Sequence, residues 1–565
     1  MHLPLLRSVR NNRWLVFIFC IIPVLIYIWV FNAIALNVNY VAFDDIMILG
    51  IIPEFDNATL LRRWQLLTTL FPEHRLVFSR SVILTLHTIF GQVNLVWPMI
   101  IANICWALCA VVFYKAFRKL KISRWYFVPV MWLWFNIQSF ENIFWAVSSL
   151  CNFGVLLFAL TALYFAVYHP QKPIYSLLFA VLATFTYGNG LMVLPVVGLT
   201  YLLAGYRKQF VITLVTTVIV ALIYFIDFTP ITQNLDFKNP QQVKEGFFGF
   251  FGFVGSIATL TAYNTPTFRL YLASAAGMLM IFGLLVLFRK QYLPVWNSVW
   301  LKARYTNQNA LFAAAIAIFV AITALILTYK RIPTDTFEGM FKGRYRMYST
   351  LWCLALYFGF LSVSSESVIR KVSPVILLVA ILLNFVILQT NFADAVNNRR
   401  SAIAQEFNAR YNADWLGVRM FSMDQKYYEK IRSYYKSADP VAEGWNPQMM
   451  SETIPCDSIY APTLISKVGP YITINFENDF FKAKRDYSDG AYILLKSANH
   501  TYVSAQNQPA VPLKTTLRRG MYFSKGAFGS FHEANVEPGT YNIYLLVRRD
   551  GMNRIYCTGK TWEEK

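Results

Sequence analysis

The sequence predicts an α-helical polytopic membrane protein of about eleven transmembrane helices, followed by a water-soluble C-terminal α+β domain containing a small β-sandwich. Three observations carry this. Hydrophobic residues make up 56% of the 565-residue chain and charged residues only 14%, whereas a soluble globular protein is nearer a quarter charged. Long apolar runs recur as far as residue 392 and then stop. From residue 457 the pattern changes to short β-like runs separated by Gly, Pro and Asn.

The chain opens with Arg7, Arg10 and Arg13 and then the apolar run 14–36. That run is too long for a signal-peptide core and lacks a small-residue cleavage site, so it reads as an uncleaved first span. The further spans are 94–115, 125–139, 147–167, 174–188, 190–205, 209–228, 269–288, 309–329, 347–365 and 373–392; 125–139 and 174–188 are short for a bilayer. Loop charge sets the orientation. If the N-terminus is cytoplasmic, the inward loops carry Lys115, Arg118, Lys119, Lys121 and Arg124, then Lys172, Arg207 and Lys208, Arg289, Lys290, Lys302 and Arg304, and finally Arg370 and Lys371. Each inward loop is basic beside a helix end, as the positive-inside rule requires. Residues before 393 hold 29 of the 51 Lys+Arg but only 12 of the 30 Asp+Glu. The net charge of +21 is therefore scattered between apolar runs and not gathered in a nucleic-acid-binding patch. An odd number of spans puts everything after 392 on the outer side.

Two outward loops break the charge rule: one holds Arg62, Arg63, Arg75 and Arg80, the other Lys330, Arg331, Lys342, Arg344 and Arg346. Basic residues on the disfavoured side fit a role in holding phosphate, with lipid-headgroup contact as the plain alternative. The first of these loops, 37–93, is far longer than a typical connection. It should contain a helix over 57–70 and an apolar stretch, 76–90, that lies along or dips into the membrane. The aromatic and glycine-rich segment 247–253 reads as an interfacial or re-entrant piece.

Beyond the spans, 393–456 forms a connector that looks helical over 393–440, with Trp415, Tyr427, Tyr428, Tyr434 and Tyr435 along it, and 457–565 forms the β-rich domain. Strands are expected at 471–475, 491–495, 501–503 and 541–547. Cys456 and Cys557 both lie here, and an exported domain would pair them. The remaining cysteines read as small buried hydrophobes, and no spacing resembles a zinc site.

Two clusters carry chemistry. Phe43-Asp44-Asp45 follows the first span, and adjacent carboxylates at a membrane surface need a cation, a proton or water; a solvated helix end is the alternative. Glu73-His74-Arg75, followed by Arg80, sets a carboxylate, an imidazole and two guanidiniums within eight residues. Arg75 could grip a phosphate through two donors and His74 could share it, or the run could be a surface salt-bridge cluster.

The acidic pair directly after span one resembles the membrane glycosyltransferases of the GT-C class. The stretch Phe71-Pro-Glu-His-Arg-Leu-Val-Phe78 is similar to an Asn-Glu-His-Arg-like motif of uncharacterised bacterial members, with Pro72 in place of Asn. Glu141-Asn-Ile-Phe-Trp145, Thr186-Tyr-Gly-Asn-Gly190 and Gly343-Arg-Tyr345 also look like that group. The resemblance covers residues 10–395 and leaves out the C-terminal domain.

This resemblance implies a GT-C-like membrane domain over 1–392, in a bacterial inner membrane, with the C-terminal domain periplasmic or extracellular. The expected partners are membrane lipids, a polyprenyl-phosphate-linked sugar donor and a glycan or lipid acceptor. It makes Asp44 or Asp45 the catalytic base. Glu73, His74, Arg75, Arg80, Glu141, Asn142, Asn189, Lys342, Arg344 and Tyr345 become the candidates for holding substrate and phosphate. A divalent cation remains open, since Asp44, Asp45 and His74 offer oxygen and nitrogen ligands, but no closed ligand set is visible. A transporter or flippase of lipid-linked saccharide is the competing class, and would more often show two related halves with broken helices at the midplane. A glycan polymerase or ligase is the nearer rival, and would put its chemistry in late external loops.

Overall fold

The structure, a computed structural model, describes residues 13–34, 43–71, 73–231, 233–261, 265–412, 431–436, 441, 444–477, 487–533 and 536–564. The chain divides into two compact units. The first takes Met1–Ile28, Thr59–Val82 and Pro98–Leu388; the second takes Trp29–Ala58, Ile83–Trp97 and Gln389–Lys565. The division is thus not the sequential one at residue 392, because two segments from the first 97 residues belong with the C-terminal part.

Among the described residues seven helices are long and apolar enough to cross a membrane: Arg13–Ile34, Val96–Arg118, Ala146–Tyr168, Arg207–Tyr224, Thr267–Trp300, Gln308–Asp335 and Glu366–Asn408. This is fewer than the eleven spans expected. The difference lies mainly in the short runs. Residues 174–188 and 190–205 give helices of only 12 and 11 residues, Pro173–Thr184 and Val193–Leu203. At 1.5 Å per residue each reaches about 18 Å, short of a ~30 Å hydrocarbon core. The run 125–139 gives a 3₁₀ turn, Arg124–Phe127, and one seven-residue helix, Val128–Trp134. Asn136 ends that helix: its Nδ2 donates to Leu133 O (2.6 Å) and its Oδ1 accepts from Gln138 N (2.9 Å). Asn384 then supplies donors to the carbonyls of Trp132 (2.7 Å) and Phe135 (2.9 Å). A broken helix in apolar surroundings survives only when its freed backbone groups find such partners.

The glycine-rich segment is not an isolated interfacial piece. It belongs to a continuous helix, Pro240–Gly255, capped by Asn239 Oδ1 accepting from Gln241 N (3.0 Å). Gly246, Gly249, Gly252 and Gly255 recur every third residue and are buried, the first two against Gln308–Asp335 and its continuation and the last against Thr267–Phe288. At Gly255 a Cβ would lie 2.0 Å from Ala273 O and 2.4 Å from Gly277 N, so the missing side chain lets this helix meet Thr267–Phe288 backbone to backbone. Ser274 Oγ donates to Phe248 O (2.9 Å) across the contact. In the first loop, Leu60–Thr68 and Val77–Phe90 are helices, joined by a small hairpin of β1 (Leu70–Phe71) and β2 (His74–Arg75).

The last span continues as one 47-residue helix, Glu366–Asn412, so the connector begins without a break; Trp415, Tyr427 and Tyr428 lie outside the described residues. In the second unit Arg399 Nη1 donates to Ile34 O (2.7 Å), closing the end of Arg13–Ile34. The strands are β3 (Ser458–Ile459), β4 (Leu464–Val468), β5 (Tyr471–Phe476), β6 (Gly490–Lys496), β7 (Thr501–Ala505), β8 (Ala527–His532), β9 (Gly539–Arg549) and β10 (Met552–Glu564). They form a five-stranded sheet, β3-β10-β9-β6-β7, and a three-stranded sheet, β4-β5-β8. Alternation in β5 turns Ile472, Ile474 and Phe476 inward, where they meet Ile493, Leu495, Ile543 and Leu545 of the larger sheet. The opposite face of that sheet is also covered: Tyr492, Leu494 and Leu546 pack on Phe407, Trp445 and Met449. This explains why β6 is buried at every residue. Register in β10 shifts between Cys557 and Thr561, and β3 pairs only with Tyr556 and Cys557. Cys456 and Cys557 form a disulfide.

Two outcomes check this packing. Gly255→Ala should destabilise the detergent-solubilised protein by about 1–3 kcal/mol through overpacking. Gly283→Ala, whose Cβ would meet only Leu356 at 3.9 Å, should leave the thermal midpoint nearly unchanged. Replacing Cys456 and Cys557 by serine opens a loop of 101 residues and should cost the second unit about 2–5 kcal/mol. A fall in the urea midpoint would report the loss, and an unchanged midpoint would contradict it.

Candidate functional site

Polar groups converge in the first unit from four stretches distant in sequence: hairpin β1–β2, Glu141–Trp145, the turn 187–190 and residues 331–345. Each is brought there by a helix end or a break. The turn forms because Pro173–Thr184 stops at Phe185 and chain direction reverses through the 3₁₀ segment Gly188–Met192. Its two glycines do different work. A Cβ on Gly190 would lie 1.8 Å from Ala183 O, and one on Gly188 would lie 2.4 Å from His74 Nδ1. Gly190 therefore permits the close return of the backbone, while Gly188 is the seat of the His74 ring. That ring also meets Tyr187 edge-on at 5.0 Å between centroids.

Glu141 and Asn142 organise the later segment. Glu141 Oε2 accepts from Arg344 N (3.1 Å) and Asn142 Nδ2 donates to Arg344 O (2.8 Å). Asn142 is itself oriented by Ser148 Oγ (3.1 Å) and Asn152 Nδ2 (3.0 Å), which both donate to its Oδ1. Gly343 allows this, since a Cβ there would meet Glu141 Cδ at 3.1 Å. The backbone of residue 344 is thus gripped at both its N–H and its C=O. The Arg344 guanidinium lies 5.9 Å from the Trp145 ring and 5.5 Å from that of Tyr345. Lys342 Nζ pairs with Asp335 Oδ2 at 2.7 Å. Asn189 donates to Tyr348 Oη (2.7 Å), and its Oδ1 is buried without a partner among the described residues.

At the centre stands Tyr345, 2% exposed. Its hydroxyl is buried and faces the Arg344 guanidinium as a hydrogen-bond partner. Burial pushes its phenol up, but the charges of Arg344, Arg331 and Lys342 outweigh this and hold it below the usual tyrosine range. Burial, and then Arg331, lower the His74 imidazole to about 4, against the opposing pull of Glu73; the ring is neutral at physiological pH. Burial works against the charge on Arg344, and the neighbouring Tyr345, Tyr187 and Glu141 raise its pKa in spite of that. Among the described residues neither Arg331 nor Arg344 has a carboxylate ion-pair partner. Arg331, Lys342 and Arg344 thus surround the buried Tyr345 hydroxyl, with Asp335 and Glu141 as the carboxylates that act on them.

Not every residue marked by the sequence joins this cluster. Arg75 is buried, with Nε donating to Tyr224 O (2.7 Å), Nη1 to Thr68 O and Nη2 to Ile226 O. Arg80 is buried and donates to Leu67 O (3.2 Å) and Thr69 O. Both guanidiniums bind backbone carbonyls where the sequence suggested phosphate. Glu73 Oε1 accepts from Ile231 N (2.8 Å). Arg346, also buried, binds Phe341 O (3.1 Å), Thr259 Oγ1 and Thr261 O. Asp44 and Asp45 belong to the second unit, in the short helix Phe43–Leu49, where Asp45 is fully buried. Among the described residues no three His, Cys, Asp or Glu side chains gather as a metal site.

Tyr348 is a member the sequence did not mark, while Arg331 was marked only among the basic residues of a loop and Tyr187 only within the motif 186–190. The helix Gln308–Asp335 runs past the apolar stretch, so Arg331 is helical and not in a loop. The signal for Tyr187 was its place directly before Gly188. The chain matches no protein-family model, no curated protein and no solved structure.

The seat of His74 is checked by a double-mutant cycle. Gly188→Ala alone should destabilise the protein by about 1–3 kcal/mol because the new methyl meets the imidazole. In a His74→Ala background the same change should be nearly neutral, giving a coupling of about 1–3 kcal/mol in thermal unfolding. Strict additivity would show that the ring does not occupy that space.

Proposed function

We propose that this chain is a membrane glycosyltransferase that moves a sugar from a polyprenyl-phosphate carrier to an extracytoplasmic glycan or lipid acceptor, with inversion at the anomeric carbon. The observation that carries the reading is the gathering of Arg331, Lys342 and Arg344 around the buried Tyr345 hydroxyl. Transfer from such a donor breaks the bond between the anomeric carbon and the phosphate oxygen, and the electron pair stays on the leaving phosphate. Preorganised cations and hydrogen-bond donors aimed at that developing charge are the largest help a protein can give. Arg344 is held for the task by Glu141 and Asn142 through its backbone, and by the rings of Trp145 and Tyr345 through its side chain. Arg331 and the Tyr345 hydroxyl complete the anion ligands, and neutral His74 can donate a hydrogen bond without adding charge.

The acceptor hydroxyl loses its proton as its oxygen bonds to the anomeric carbon, which calls for a carboxylate base. Asp44 or Asp45 is our choice. In this reading the protein sits in a bacterial inner membrane with about eleven spans, a cytoplasmic N-terminus and the β-rich domain outside. The Cys456–Cys557 disulfide suits an oxidising compartment, and the basic inward loops suit the orientation.

The test is surface glycan, read by mass spectrometry in cells that carry single variants at matched membrane levels. Arg344→Gln should lower transfer about 100-fold or more, and Asp44→Asn or Asp45→Asn should abolish it. Unaltered glycan in all three variants would overturn the assignment.

A further inference from the structure

The helix Leu60–Thr68 turns apolar side chains away from the protein. Leu60, Leu61 and Trp64 are 84%, 69% and 62% exposed, and their spacing puts them on one helix face. Leu66, on the other side, is buried. Thr59 fixes the start of the helix, its Oγ1 accepting from Arg62 N at 3.4 Å. Single exposed hydrophobes need no explanation, but a contiguous stripe containing a tryptophan does.

The level of this helix is set by Arg75. Its guanidinium binds Thr68 O, in the last turn of Leu60–Thr68, together with Tyr224 O and Ile226 O. Tyr224 is the last residue of Arg207–Tyr224, one of the helices long and apolar enough to cross a membrane. That helix exposes Val211, Val215, Val218 and Leu222 along its length. One planar group only a few ångströms across therefore joins the end of a membrane span to the end of Leu60–Thr68. The end of the short helix thus stands beside the end of that apolar helix.

We propose that Leu60–Thr68 lies in the lipid–water boundary, with Leu60, Leu61 and Trp64 seated among the acyl chains of the bilayer. Tryptophan favours that boundary, and an amphipathic helix with arginine off its apolar face binds there by area and by charge; Arg62 is on the side away from the stripe. The occupant of the stripe is the bilayer itself, so the inference stands whether or not the protein transfers sugar. Arg80 adds to the anchorage, holding Leu67 O and Thr69 O. The two arginines lock the last turn of this membrane-seated helix to the hairpin that carries His74.

The experiment uses the full-length chain in vesicles of phosphatidylcholine with phosphatidylglycerol. Cys20, Cys105, Cys109, Cys151 and Cys353 are replaced by alanine, and single cysteines at Leu60→Cys, Leu61→Cys, Trp64→Cys and, as the opposite-face control, Arg62→Cys carry an environment-sensitive fluorophore. Labels at 60, 61 and 64 should be quenched several-fold more than the label at 62 by lipid with a doxyl group near its headgroup, and should resist aqueous iodide. Equal iodide quenching at all four sites, without an effect of doxyl lipid, would put the stripe in water and overturn the proposal. Protection from both quenchers, with energy transfer between labelled copies, would overturn it too, because a second copy of the chain would then cover the stripe.

Discussion

A backbone carbonyl in apolar surroundings must have a donor, and much of this protein follows from that requirement. Continuous helices meet it internally, but this chain contains many helices that stop early or break. Each stop frees carbonyls that lipid cannot satisfy. Side chains answer the need, and several of them are arginines. Arg75 closes the ends of Leu60–Thr68 and Arg207–Tyr224, Arg80 supports the former, Arg346 holds the loop at 259–261, and in the second unit Arg399 closes Arg13–Ile34. With five donors in a rigid plane, one guanidinium can serve two chain ends at once. Asn384 does the same with an amide for the broken helix near Trp132.

The same constraint shapes the candidate site. Its members sit where helices end, because there the backbone leaves regular geometry and side chains from separate segments can meet. Glu141 and Asn142 bind the backbone of residue 344, and the guanidinium that follows is free to point elsewhere. The site is therefore two-layered: guanidiniums that satisfy backbone carbonyls, and guanidiniums that do not. Arg344 and Arg331 belong to the second kind, and Arg75, Arg80 and Arg346 to the first.

That division explains what could be read from the amino acids. Apolar runs located the seven long helices of the membrane part, and alternation placed strands at 471–475, 491–495, 501–503 and 541–547, close to the observed β5, β6, β7 and β9. Glu141, Asn142, Asn189, Lys342, Arg344 and Tyr345 were found as short polar motifs between apolar runs, and His74 joins them in the first unit. What sequence could not supply was the fate of each arginine. Arg75 and Arg344 look alike as basic residues on the disfavoured side, and only the position of unsatisfied carbonyls separates them. Span number is a related case: the runs 174–188 and 190–205 have the hydropathy of spans, but their helices have only 12 and 11 residues, a length that composition does not reveal. The spacing of Gly246, Gly249, Gly252 and Gly255 was visible in the sequence, but its meaning depends on Gln308–Asp335 and Thr267–Phe288, the helices it packs against.

The shape of β10 has a consequence for how the β-rich region keeps its own company. Only Tyr556 and Cys557 of this long strand are matched by β3, so among the described residues much of its rim is without a strand partner. A rim of that kind invites strands of other molecules. Here the register slips directly after Cys557, Gly559 turns left-handed with φ +65°, and a lysine follows at 560. A visiting strand would lose its ladder within a few residues and meet a charge.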